Sequence, residues 1–272
     1  MICVLGDSHL DVVVRVLGPL TGEALIGDTD TPAVTSVGLG GQAANVAAWV
    51  AALGGRSRLI AVRGTDAGAG LVSAELTRRG VEQVGPVVSG RTGVVVSLSD
   101  GGDRRSMLTD RGVGAELTAA EVRPDWLTGC DWLHISAYAL AREPVRSAAV
   151  AAVRAARARG TRVSVDLAST AMIEAYGVAA FGSVIALVRP DVVFGTDAEA
   201  GLLDGLPEAS QLIVKLGAEG VRVGGQHFPA LPTVPVDATG AGDAFAAGYL
   251  IGGVELGLAA AARAVAQMGA MP

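Results

Sequence analysis

The sequence predicts an α/β fold, a sandwich built on a mostly parallel central sheet with helices on both faces and a small separate β-sheet. Three observations lead there. Short apolar runs of β type alternate with segments of helical spacing through most of the chain, the pattern of strands joined by helical crossovers. Residues 12–37 and 92–108 interrupt that alternation with extended, turn-rich sequence. The 272 residues are 50% hydrophobic and 18% charged, which is core material for one large domain at roughly 100–200 residues per domain.

Taken in order, residues 2–5 form the first β-type run. Residues 42–53 have helical spacing and stop at Gly54 and Gly55, a natural C-terminal stop. Residues 58–62 read as a strand and 67–79 as a helix ending at Gly80. A strand at 132–135 precedes a helix at 143–159, with Pro144 in its first turn and Gly160 just past its end. Strands at 163–166, 191–194 and 211–215 alternate with helices at 172–188 and 197–203, and two helices at 241–251 and 256–268 close the chain. The 92–108 segment alternates apolar and polar residues around Asp100-Gly101-Gly102-Asp103, a hairpin pattern. With 12–37 it is expected to form antiparallel strands outside the main sheet. No linker composition and no internal repeat divides the chain, so residues 1–272 are expected to be one domain.

Composition removes several functional classes. The net charge is −6, whereas a nucleic-acid binder shows a basic stripe against phosphates. Arg154, Arg157 and Arg159 lie on an alanine-rich helix and read as a solvated face. Arg104 and Arg105, beside the hairpin turn, read as exposed charges. Cys3 and Cys130 sit in buried β-type surroundings without metal-ligand spacing, and two free core thiols are expected. His9, His134 and His227 form no metal-binding motif; His9 stands apart because it lies in the turn after the first strand. Asp7 and Asp11 interrupt the first apolar run, which has no basic segment before it. No stretch reaches the roughly 18 uncharged apolar residues of a membrane span. The expectation is a cytoplasmic protein without nucleic-acid or membrane partners.

The chemistry concentrates in Asp237-Ala238-Thr239-Gly240-Ala241-Gly242-Asp243-Ala244-Phe245, which opens a helix. Small residues leave the backbone amides of Gly240, Ala241 and Gly242 accessible, with the helix dipole behind them, and such a turn is an anion hole suited to phosphate. An acid placed against phosphate is unfavourable unless it accepts a proton from an attacking hydroxyl, so Asp243 is the candidate general base.

This stretch resembles the C-terminal signature of the ribokinase family, the PfkB carbohydrate kinases, whose pattern is D-T-x-G-A-G-D-x-F; it departs in having Ala238 and Thr239 after the first Asp. Gly40-Gly41-Gln42-Ala43-Ala44-Asn45 resembles the family's G-G-x-x-x-N signature. Gly6-Asp7-Ser8-His9-Leu10-Asp11 is similar to its first strand and turn, which ends in a substrate-binding Asp. Asp110-Arg111-Gly112 resembles a stretch that follows the lid, and Leu216-Gly217-Ala218-Glu219-Gly220 the nucleotide-side loop. There are departures. Thr196-Asp197-Ala198-Glu199 stands where the family often has N-x-x-E, a glycine is shifted in 64–70, and the region that builds the family's adenine pocket is short.

The resemblance implies a ribokinase-like three-layer sandwich whose β-sheet lid is formed from about residues 12–37 and 92–108. It implies ATP-dependent phosphoryl transfer to a hydroxyl of a sugar or sugar-like molecule. Asp243 would be the base and the Gly240, Ala241 and Gly242 amides the anion hole. Asp11, Gly41 and Asn45 would hold the substrate, and Lys215, Gly217, Gly220 and Thr239 the nucleotide. Mg²⁺ would be held through water by Glu199, and a monovalent cation such as K⁺ would sit by Asp237. A homodimer joined through the lid is compatible with the family. A nucleoside kinase and a non-catalytic sugar- or nucleotide-binding regulator are the alternatives. Gly38-Leu39-Gly40-Gly41-Gln42-Ala43 also fits G-x-G-x-x-A, a dinucleotide fingerprint, but that reading leaves 237–245 unexplained.

Overall fold

The computed structural model describes residues 1–17, 30–100, 105–203 and 210–272. Part of the expected lid, 18–29, and the hairpin turn with Asp103 and Arg104 lie outside the described residues, as does the side chain of Arg105. In chain order the elements are β1 (Ile2–Leu5), β2 (His9–Val16), β3 (Ala33–Gly40), α1 (Gln42–Ala52), β4 (Ser57–Ile60), α2 (Ala67–Arg78) and β5 (Val81–Val84). Next come β6 (Thr92–Ser99), β7 (Arg105–Gly112), β8 (Trp132–Ser136), α3 (Val145–Arg157), β9 (Arg162–Asp166), α4 (Thr170–Tyr176) and α5 (Val178–Val188). Then follow β10 (Val192–Thr196), α6 (Asp197–Gly201), β11 (Gln211–Lys215), β12 (Val221–Val223), β13 (Gln226–Phe228) and α7 (Ala241–Val265).

The main sheet has nine strands in the order β13-β12-β11-β10-β9-β8-β1-β4-β5. It is parallel from β11 to β5, and β12 and β13 add an antiparallel edge. The pleat of β1 explains its unbroken apolar run. Ile2 and Val4 enter one core with Trp49 and Phe245, while Cys3 and Leu5 enter the other with Leu133 and Phe181. A strand buried on both faces has no polar side to alternate with. α1 and α7 cover the first face, α3 and α5 the second, which makes three layers.

The second sheet has the order β3-β2-β6-β7. β2 and β3 are antiparallel, as are β6 and β7, but β2 and β6 pair in parallel, against the expectation of antiparallel strands throughout. Both strands leave the same carboxyl end of the main sheet, β2 after β1 and β6 after β5, so they start out in the same direction. The helix expected over 172–188 is two helices, broken at Gly177. The two C-terminal helices are one assigned element with a non-helical break at Gly252 and Gly253. α7 is long and apolar enough to cross a membrane by length and composition, but its Ala244, Phe245, Ala247 and Leu258 are core residues.

The cysteines correct the sequence expectation of free thiols. Cys3 and Cys130 form a disulfide with a Cα separation of 6.0 Å. Strand pairing brings them together: Cys3 lies opposite Leu133 in the β1–β8 register, and Cys130 stands just before β8. Neighbouring strands lie about 5 Å apart, within the reach of a disulfide.

Candidate active site

Five parallel strands end at one edge, and their last residues or the next turn carry the polar groups. Asp7 follows β1, Ser136 ends β8, Asp166 ends β9, Thr196 ends β10 and Lys215 ends β11. The carboxyl edge of an open α/β sheet is where ligands bind. The N-termini of α1 and α7 are packed over it, and they bring Asn45 and Asp243 into contact. Asn45 Nδ2 donates to Asp243 Oδ2 at 2.7 Å, although 198 residues separate them. Asn45 is buried, and its Oδ1 has no protein partner.

Asp243 retains some solvent contact, yet its carboxylate is enclosed enough to perturb its ionisation. Lost hydration is the largest cause, and the negative charge of Asp166 adds to it, as does that of Asp7. The Asn45 hydrogen bond and the Lys215 charge act the other way, and the balance raises the Asp243 pKa from 3.8 to about 7. A carboxyl group poised near neutral pH suits proton transfer.

Asp166 is fully buried and receives Lys215 Nζ at 3.0 Å and 2.7 Å on its two oxygens. Burial opposes the Lys215 charge, but the attraction and hydrogen bonds of Asp166, with the charges of Glu199 and Asp243, prevail and raise its pKa. Lys215 also reaches beneath the α7 turn: a Cβ at Gly242 would sit 3.2 Å from its Nζ. Gly217 and Gly220 lie in the turn after β11, where Leu216 N–H donates to the Gly220 carbonyl at 2.8 Å. The expected nucleotide residues therefore adjoin the expected catalytic turn.

That turn is shaped by Gly240, at φ 78°. A Cβ there would stand 2.6 Å from Ala270 Cα, so both the left-handed backbone and the C-terminal segment require glycine. The expected anion hole needs one correction. Ala241 N–H donates to the Ala238 carbonyl at 3.2 Å, closing the turn, so it is not available to a ligand. Asp237 organises the same turn: its Oδ1 accepts from Thr239 N–H at 2.9 Å and from the Thr239 hydroxyl at 2.6 Å. Its Oδ2 accepts from Gly269 N–H at 3.0 Å.

Glu199 is buried in a capping box with Thr196. Its Oε2 accepts from Thr196 N–H at 2.8 Å, and its own N–H donates to Thr196 Oγ1 at 3.2 Å. The threonine thus has a local role at the start of α6. Among the described residues no cluster of three His, Cys, Asp or Glu side chains could hold a metal. Mg²⁺ bound with nucleotide phosphates needs only one or two carboxylates and water, and Glu199, beside Lys215, fits that requirement.

On the opposite side of the site Asp11 lies on β2, its Oδ1 3.1 Å from His9 Nε2 without hydrogen-bond alignment. Gly40 is needed beneath it, because a Cβ there would meet the Asp11 carboxylate at 2.2 Å. Gly41 caps α1. The dinucleotide reading of 38–43 loses its setting: β3 belongs to the second sheet and pairs antiparallel with β2 rather than leading a parallel βαβ unit. A small open cleft lies beside Asp7, lined also by His9, Arg111, Tyr138 and Arg142.

Sequence reasoning missed Asp166 and the part played by Asp7. The signal for Asp166 was present, an acid closing an apolar strand run at 163–166. Asn45 was expected to hold substrate; in the structure its Nδ2 bonds Asp243, and its Oδ1 is left without a protein partner.

Comparison with known proteins gives one consistent result. Residues 1–271 match the family profile described as pfkB family carbohydrate kinase. The chain is 32% identical over 236 residues to the fructokinase of Salmonella typhimurium, covering 78% of this chain and 75% of that one. It is 32% identical over 268 residues to an ATP-dependent ribose-1-phosphate kinase of Halopiger xanaduensis, covering 92% and 84%. Among solved structures, an uncharacterised sugar kinase from Pyrococcus horikoshii in complex with ATP superposes with a TM-score of 0.85 at 23% identity, covering 100% of this chain and 95% of that one.

Proposed function

Since the chain belongs to the pfkB family and is a carbohydrate kinase, we propose that it transfers the γ-phosphoryl group of ATP to a sugar hydroxyl with Asp243 as the general base. The observation that carries this reading is the state of Asp243: a carboxylate at the first turn of α7, tied to Asn45 at 2.7 Å and with its pKa raised to about 7. At neutral pH a large fraction of such a group is ionised and able to take the hydroxyl proton as the oxygen attacks phosphorus. Asn45 holds the receiving carboxylate in place. The Gly240 and Gly242 amides, at the positive end of α7, stabilise charge on the transferring group. Phosphoryl transfer depends mainly on such positioning and electrostatics.

Lys215, Gly217, Gly220 and Thr239 belong to the nucleotide side of the site in this reading. Lys215 also brings positive charge beneath the phosphates, held at full ionisation by Asp166. Mg²⁺ supplies charge neutralisation on the phosphate oxygens when bound, and Glu199 would hold its water shell. In this reading a monovalent cation such as K⁺ would brace the turn beside Asp237 and Thr239. Asp11 and Gly41 stand on the acceptor side, and the second sheet acts as a lid over it, with residues 1–272 as one catalytic domain. A cytoplasmic location follows from a reaction that consumes ATP.

The test is ADP release from Mg-ATP with a panel of hexoses, pentoses, their phosphates and nucleosides. Stoichiometric phosphorylation of a sugar, absent without Mg²⁺, is the expected result. Phosphorylation of nucleosides alone would replace the sugar reading with the nucleoside one, and no turnover with any member would contradict both.

A further inference from the structure

We propose that the acceptor of this kinase carries a negative charge, a phosphate or a carboxylate, which Arg111 and Arg142 read in the cleft beside Asp7. The inference rests on the kinase reading above and names the substrate class of that same site. Asp7 links the cleft to the chemistry: it lines the cleft, its carbonyl accepts from Ala44 N–H at 3.2 Å, and the next residue, Asn45, bonds Asp243 at 2.7 Å. A molecule in the cleft therefore lies on the acceptor side of the base.

The charge of the cleft differs from that of the protein. The whole chain carries −6, but two arginines and only one aspartate line this cleft. The single aspartate does not cancel Arg111 firmly: Arg111 Nη1 stands 3.5 Å from Asp7 Oδ2, and its guanidinium rests 4.6 Å over the Tyr138 ring. That stacking fixes the plane of the fork and leaves donors for a second anion. Asp7 is shared as well, because His9 Nδ1 lies 3.7 Å from the same oxygen and Ala43 N–H donates to its other oxygen at 3.5 Å.

Among the described residues Arg142 has no acid of its own. The nearest carboxylate in sequence, Glu143, is turned to Arg146 at 2.8 Å and to Ser147 N–H at 3.1 Å. An arginine at a cleft wall with its neighbouring acid committed elsewhere is suited to bind an incoming anion bidentately. A neutral sugar asks for acceptors and donors in balance, whereas the fork donors of Arg111 and Arg142 are matched here by one shared carboxylate.

The test compares matched acceptors with Mg-ATP: ribose with ribose 1-phosphate, fructose with fructose 6-phosphate, and glucose with gluconate. The expected result is at least a tenfold higher kcat/KM for one anionic member over its neutral partner, lost in Arg142→Gln and Arg111→Gln through a rise in the acceptor KM of about tenfold or more while the ATP KM stays within twofold. A phosphate preference and a carboxylate preference separate the two sources of charge. Thermal shifts induced by each acceptor alone report binding without turnover and confirm that the variants are folded. A preference for the neutral members, unmoved by both substitutions, overturns the inference and leaves the sugar-kinase reading standing. Neither binding nor turnover with any member overturns both.

Discussion

At the scale of single residues the account turns on Asp243, whose pKa near 7 makes a claim about stability as well as rate. Well below pH 3.8 the carboxyl is neutral in folded and unfolded chains alike, so its contribution to stability is fully present. Rising pH ionises the unfolded chain first, and stability falls until pH passes about 7. Asp243→Asn has no such loss. It should be the more stable protein above pH 7, by an amount on the order of 1–4 kcal/mol, with the gap closing towards pH 4. Denaturant unfolding at several pH values measures this; a variant less stable throughout would mean that the carboxylate is not held against its ionisation. Asn45 makes the complementary claim. Its hydrogen bond lowers the Asp243 pKa, so Asn45→Ala should move the inflection of kcat above pH 7, by about one to two units for a hydrogen bond to a charged group. An unmoved inflection with a raised sugar KM would return Asn45 to the substrate role that its motif implies. Neither this bond nor the Asp166–Lys215 pair was legible in the sequence, because their members stand 198 and 49 residues apart. The run 237–245 was legible because its parts are contiguous.

At the scale of elements, the α7 N-terminus is where backbone shape and chemistry coincide. Gly240→Ala would put a Cβ 2.6 Å from the Ala270 backbone and force φ 78° on an L side chain. The expected cost is about 1–3 kcal/mol of stability, with a weaker grip on ATP because the turn amides move. Chemical denaturation and ATP titration of the variant check both; wild-type stability would mean that the C-terminal segment can yield at Ala270. The helices and central strands were legible because their apolar spacing is long and regular, as in 42–53 and 67–79. β5, β12 and β13 were not. Val81-Glu82-Gln83-Val84 is short and half polar, and the other two are three-residue strands whose existence depends on a neighbour to pair with. The parallel β2–β6 pair was hidden for the same reason, since each strand's local sequence says nothing of the direction of its partner.

At the scale of the whole molecule, the fold gathers strand ends, two helix N-termini and the start of the second sheet around one site. Alternation of strands and helices announced that architecture, and the disulfide between Cys3 and Cys130 shows where strand order overrode a local reading of two thiols. The central claim is that this gathering serves one proton transfer, from a sugar hydroxyl to Asp243. Single-turnover phosphoryl transfer by wild type and Asp243→Asn, followed from pH 5.5 to 9 with saturating Mg-ATP and the best acceptor, tests it most directly. The account predicts a wild-type rate that rises through about pH 7 to a plateau. It predicts an Asp243→Asn rate at least about 100-fold lower with no inflection, and ATP binding nearly unchanged. An Asp243→Asn rate equal to the wild type's, or the same inflection in both proteins, would contradict it.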